Sequence, residues 1–198
     1  MAAIVDSIPK ITPDFAYMHR FNKPGATTVS LTRGILNKST RVGGFKVVLV
    51  HVGTNRLAPV KLVTNGEVQW STPSVEEVLA EFKMLRSAIR RYNFHALLIF
   101  SAILPRPCDF EVTGSLVLAV NTRLKAWCRD EPNQAFIDCS EQFIHQQGDL
   151  MGEPRAELFT VEDALHLNKR GLHHLADAWR ECLRPHALKH LARVARRK

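Results

Sequence analysis

The sequence predicts an α/β fold in which a parallel sheet lies between two helical layers. Three observations lead there. Short apolar, β-branched runs alternate with amphipathic stretches of helical period, the signature of crossover connections. The clearest of these runs, "FKVVLVHVG" and "HALLIFSAIL", are nearly continuously apolar, as strands covered on both faces are. The polar residues that invite attention fall just after such runs, where open parallel sheets place their sites.

The elements follow in order. "AAIVDS" (Ala2 to Ser7) reads as a buried first strand. "FAYMHRF" (Phe15 to Phe21) is a weaker strand candidate, followed by a turn at "NKPG". "ATTVSLTRGILNKST" carries Val29, Leu31, Ile35 and Leu36 at helical spacing. Phe45 to Gly53 is the next strand, ended by glycine. An irregular stretch from Arg56 to Pro73 contains "VTNGEV", whose Asn-Gly pair suits a hairpin tip. A strong helix then opens on a capping box, Ser74 with Glu77, and presents Val75, Val78, Leu79, Phe82, Leu85 and Ile89 on one face. His95 to Leu104 is a buried strand stopped by "PRP". "SLVLAVNTRLKAWC" is a helix with Leu116, Val117, Val120, Leu124 and Trp127 near one face. Gln134 to Ser140 is the fifth strand. The last helix runs from about Lys169 to Leu183, capped by Asn168, with Pro185 ending it or kinking the chain. Its buried face holds Leu172, Leu175, Ala176, Trp179 and Leu183.

The 198 residues suffice for one domain with a substantial core. We place that domain at 1–185 and a basic C-terminal tail at 186–198. Hydrophobic residues at 45% and charged residues at 23% are ordinary for a soluble globular protein. No apolar run reaches the length of a membrane span. "MAAIVDSIPK" lacks a basic n-region and carries Asp6, so it does not read as a signal peptide, and an intracellular location (cytoplasmic, with the nucleus open) is expected. The four cysteines, Cys108, Cys128, Cys139 and Cys182, show no metal-binding spacing and read as free, largely buried thiols. No cofactor or metal is expected. The net charge is +8, and "KHLARVARRK" at the end contains no acid, so the tail can contact phosphate backbones nonspecifically or simply be solvated. Oligomeric state is not legible.

Four polar groups would gather on one edge of the sheet. Strand one ends in Asp6-Ser7, "NKPGATT" supplies Gly25, the third strand ends in Gly53-Thr54-Asn55, and Asp163 and His166 precede the last helix. Their chemistry is complementary. A serine hydroxyl needs a base, His166 can serve, and Asp163 can fix the imidazole tautomer and stabilise its positive form. Attack on a carbonyl builds an oxyanion, for which the backbone N–H groups of Ser7 and Gly25 and the side-chain amide of Asn55 are suitable donors. Asp6, Thr54 and Arg56 would flank the substrate. Each motif alone is weak: Asp-x-x-His is common, Gly-Thr-Asn is an ordinary turn, and Arg56 can point to solvent. His51, His173 and His174 lack metal-like spacing and read as packing or surface groups. Trp127 and Trp179 read as core. Trp70 can cover the site as part of a lid, or simply lie in a mobile loop.

Taken together, "VDSI", "PGATT", "GTN" and "DALH" fall in the order and approximate spacing of the four blocks of the SGNH (GDSL-type) hydrolases, and the chain resembles that family from Ala2 to about Leu183. The resemblance implies a flavodoxin-like three-layer sandwich with a five-stranded parallel sheet, and a serine esterase activity on a small-molecule or lipid ester. Residue by residue, Ser7, Gly25, Asn55 and His166 match the four residues of the family's title, and Asp163 matches the triad acid. "IVDSIPK", "PGATT" and "DALHLNKRG" look closest to the SGNH domain of LINE-type retroelement proteins and their host-captured relatives. Two positions depart from the pattern. Val5 stands where the family has glycine before Asp-Ser, and Arg56 stands where an aspartate often follows Gly-Thr-Asn. The alternative is a catalytically silent domain of this shape that binds RNA or serves in assembly of a nucleoprotein particle, since relatives that have lost the hydrolase residues are of that kind.

Overall fold

The computed structural model describes residues 24–64, 67–145 and 152–195. The expected strands at 2–7 and 15–21, and with them Asp6 and Ser7, lie outside the described residues. Helix α1 spans Thr28–Leu36 and strand β1 Val47–Val50. An antiparallel hairpin follows, β2 (Val60–Thr64) with β3 (Glu67–Ser71). Then come α2 (Val75–Tyr92), β4 (Leu97–Ser101), α3 (Phe110–Asp130), β5 (Gln134–Ile137) and α4 (Lys169–Ala195).

The α/β reading holds. Among the described residues the main sheet has three parallel strands in the order β1-β4-β5. Helices cover both of its faces, for a reason visible in the strands' alternation. Leu97 and Ile99 of β4 point into a core with Ala135 and Ile137 of β5 and with Leu172, Leu175, Ala176, Trp179 and Leu183 of α4. Leu98 and Phe100 point the other way, toward Ile35 of α1, Phe82 and Leu85 of α2, and Val117 and Leu124 of α3. Central β4 is buried at every residue, which explains its unbroken apolar run.

Several boundaries differ from expectation. Strand β4 stops at Ser101 rather than Leu104, because its neighbours run out: Val50 pairs with Phe100 and Ile137 with Ser101, the last pairs in each ladder. The stretch after Arg56 is less irregular than expected, since most of it is the β2–β3 hairpin. Helix α3 begins five residues early, at Phe110. Helix α4 continues through Pro185 to Ala195, whereas the sequence suggests an end near Leu183. Proline there forfeits one backbone donor, and the flanking Ala, Leu, Lys and Arg residues are strong helix formers that carry the helix onward. Cys108 is exposed, contrary to the expectation of largely buried thiols, while Cys128 and Cys139 are buried.

The caps behave as their residue types require. Ser74 accepts from Glu77 N–H, and the Glu77 carboxylate accepts from Ser74 N–H, the expected capping box. Thr27 and Ser30 form a second one at α1. Asn168 Oδ1 accepts from Gly171 N–H at 3.0 Å and starts α4 two residues after His166. Among the described residues no helix is long and apolar enough to cross a membrane.

Candidate active site

The segment after β1 is set by Gly53. Its φ of +128° is one that side chains rarely adopt, and a Cβ there would lie 2.6 Å from Ile103 Cδ1. Ile103 cannot retreat easily. Buried Asn121 grips its backbone twice, accepting from Ile103 N–H and donating to its carbonyl, each at 2.9 Å. The tight turn leads into a short 3-10 helix, Thr54–Leu57, which carries Asn55 and Arg56.

Asn55 Nδ2 donates to the carbonyl of Ala26 at 3.1 Å, joining this turn to the residue after Gly25. Gly25 has a φ of +68° and lies at the surface with open space where a Cβ would be. Two stretches nearly thirty residues apart in sequence therefore meet. The Asn55 amide has a second N–H, for which no partner is found among the described residues.

Arg56 does not stand free at a site mouth. Its Nε donates to Glu81 Oε1 of α2 at 2.6 Å, and the other Glu81 oxygen accepts from the fully buried Thr28 hydroxyl. The carboxylate that faces Arg56 comes from another helix, and these contacts hold α1, α2 and the Asn55 turn together. Thr54 likewise offers its carbonyl to an arginine, Arg106, at 2.7 Å.

Before α4, Asp163 organises a compact loop. Its Oδ1 accepts from the Thr160 hydroxyl at 2.6 Å and from the N–H groups of Leu165 and His166 at 2.9 Å each, and its Oδ2 pairs with His166 Nδ1. These donors, the Thr160 hydroxyl foremost, hold the Asp163 carboxyl well below the usual carboxylate range, so it remains an anion facing the ring. With Nδ1–H directed at Asp163, the Nε2 lone pair is left free to take a proton. Both side chains are about two-fifths exposed, so the pair is open to solvent.

Beside these lies a group that sequence reasoning passed over. Arg106 was only the middle of a strand-stopping "PRP", yet it is 4% exposed and its guanidinium binds Asp109 as well as Thr54. Arginine three residues before aspartate at a strand end was the available signal. His51 has more structure than a packing role suggests. Its Nδ1 lies 3.1 Å from Ser101 Oγ, which also accepts from Trp179 Nε1 at 2.9 Å, and its ring meets Trp179 edge-on. Burial pushes the His51 imidazole down to about 4. Trp179 is core, as expected, while Trp70 lies on β3 with more than half its surface exposed. Among the described residues no group of His, Cys, Asp and Glu is placed to hold a metal ion.

No family model matches the sequence, and no curated protein does. Solved structures do. One is a protein from Streptococcus pneumonia proposed to be a platelet activating factor, with TM-score 0.67 and 16% identity over 90% of this chain and 79% of that one. A second, proposed to be an acylhydrolase, is from Bacteroides fragilis, with TM-score 0.63 and 16% identity over 96% of this chain and 83% of the other. A third is an acetyl esterase in a serine-to-alanine form with acetate, with TM-score 0.59 and 16% identity over 90% and 78%. At these identities what the chain shares with them is the fold: helices on both faces of a parallel sheet, spanning nearly its whole length.

Proposed function

We propose that this protein is a serine ester hydrolase of the SGNH type. The observation that carries the proposal is the Asp163–His166 pair, an ionised carboxylate held by three donors and aligned on Nδ1 of a solvent-accessible imidazole. In this reading Ser7 attacks the ester carbonyl as His166 Nε2 takes its proton, and Asp163 stabilises the imidazolium. The oxyanion is met by the N–H groups of Ser7 and Gly25 and by the free N–H of Asn55. Collapse expels the alcohol, which takes the proton back from His166. Water, activated by the same imidazole, then frees the acid. The bond between Asn55 and Ala26 supports the grouping of Gly25 with Asn55. Acetyl esterase and acylhydrolase among the structures of similar fold agree with the reaction class. The finer resemblance to retroelement SGNH domains rests on the sequence motifs alone. We keep the division into a 1–185 domain and a basic C-terminal segment as part of the proposal.

The test is hydrolysis of a p-nitrophenyl ester series from acetate to decanoate by the wild type and Ser7→Ala. Turnover that disappears in a folded Ser7→Ala supports the mechanism, and residual turnover near wild type removes it. A second reading, binding of RNA, is favoured by the charge of α4, which carries six Lys and Arg against two carboxylates, a net +4. RNA affinity that falls steeply with salt would support it, and absence of binding at low salt would exclude it.

A further inference from the structure

We propose that Arg106 is a positioning residue for this site, the group that fixes the Asn55 turn and the Asp163–His166 loop relative to one another. The inference rests on the esterase reading for its kinetic consequence and on geometry alone for its structural one.

The connection can be traced bond by bond. Arg106 Nη1 donates to the Thr54 carbonyl at 2.7 Å, immediately before Asn55. Its Nε donates to Asp109 Oδ1 at 2.8 Å and Oδ2 at 3.1 Å, and its Nη2 donates to Oδ2 at 2.6 Å. Thr113 of α3 adds a hydroxyl to Asp109 Oδ1 at 2.9 Å, so the carboxylate is anchored on the helix start. The short 3-10 segment between them, Pro107–Asp109, is thereby fixed. From it Cys108 N–H donates to the Ala164 carbonyl at 3.1 Å. Ala164 lies between Asp163 and His166.

Ala164 is the strained element in this chain of contacts. Its φ of +47° is unusual for a residue with a Cβ. It is held on both sides, its carbonyl by Cys108 and its N–H by the Thr160 carbonyl at 3.0 Å. That conformation turns the chain back so that Asp163 can bond the amide and the ring of the same histidine. Withdraw the Cys108 anchor and only local bonds oppose relaxation of the backbone toward ordinary φ.

An ordinary structural ion pair would explain less. Arg106 and Asp109 are largely withdrawn from water, and a pair of that kind is a poor source of stability compared with apolar packing. What a guanidinium offers is direction: a planar fork that can bind a carboxylate on one side and a carbonyl on another at once. Lysine has the charge without the fork. The groups it would leave adrift are the two halves of the candidate site.

The experiment compares the wild type with Arg106→Lys and Asp109→Asn, each checked for fold by circular dichroism. The first readout is the low-field ring-proton resonance of His166 in histidine-labelled protein, assigned by its loss in His166→Gln. The second is kcat and KM on p-nitrophenyl acetate. We expect the His166 resonance to shift or broaden in both variants, and kcat to fall about 10- to 100-fold with KM within about twofold, as a displacement of roughly 1 Å at a reacting group produces. If Arg106→Lys does not fold, Asp109→Asn, which keeps side-chain shape, decides. A folded variant with the wild-type resonance and kcat overturns the proposal. Should the wild type hydrolyse no ester, the esterase reading fails separately, and the resonance alone judges the positioning role.

Discussion

At Asp163 a single carboxylate performs two tasks, and they separate experimentally. Oδ1 gathers a hydroxyl and two backbone amides, so it shapes the loop, while Oδ2 addresses the histidine ring. Asp163→Asn preserves size but reverses a donor on the ring side and favours the wrong imidazole tautomer. We expect kcat to fall by about 1,000- to 10,000-fold, measured on the shortest ester that the wild type turns over. On the proposed mechanism, Asn55→Ala removes one oxyanion donor and should cost about 100- to 1,000-fold in kcat with little change in KM. The anionic state of Asp163 has a consequence for pH. Its folded-state pKa is depressed, so the stability it contributes is complete above the ordinary aspartate pKa and is lost progressively as pH falls from there through the depressed folded-state value. Thr160→Val, which removes the leading donor, should shrink that contribution, so that acid unfolding sets in at higher pH.

The elements are held less by propensity than by a few close contacts between loops and helices. Gly53 illustrates the difference. Gly53→Ala imposes both a disfavoured φ and a Cβ against Ile103, whose backbone Asn121 holds in place. We expect a loss of about 1–3 kcal/mol in urea unfolding, the usual cost of overpacking, accompanied by loss of activity through displacement of Asn55. Ser74→Ala provides the contrast. It removes only the cap of α2, without overpacking, and should cost about 1 kcal/mol in the same unfolding measurement. The elements most faithfully legible in the sequence are those with strong local signals. Helix α2 has its capping box and a face on which Val78, Phe82, Leu85 and Ile89 are all buried. Helix α4 was legible in its apolar face and its start at Asn168, but not in its length, because the effect of Pro185 depends on what the following residues can sustain.

Across the whole molecule, the two apolar cores meet through β4, and His51, Ser101, Cys139 and Trp179 form a polar cluster at the edge of one of them. Its titration links pH to global stability. The His51 imidazole has a folded-state pKa of about 4 against an ordinary value of 6.5, so between those values the unfolded chain binds the extra proton. Stability therefore falls as pH drops from about 6.5 to about 4 and levels off below, for a total of about 3 kcal/mol from this group at most. Denaturant midpoints measured from pH 7 to pH 4 should show that decline, and His51→Gln should flatten it. An undiminished decline in His51→Gln would assign the effect to other groups.

The sequence by itself determined the alternation of strands and helices and the two-sided burial of the parallel sheet, and it supplied the residue types on which the proposed esterase site rests. Those features are written in local periodicity, caps and turn residues, which act over a few positions. It could not show which long-range partner each polar group would choose. Arg56 read as a cation for substrate or solvent, and the tertiary structure gave it to Glu81, on a helix twenty-five residues away. Arg106 read as a residue between two prolines, and the fold made it the bridge between Thr54 and Asp109. A side-chain hydrogen bond is specified by the meeting of two distant segments, and only packing of the whole chain decides which segments meet.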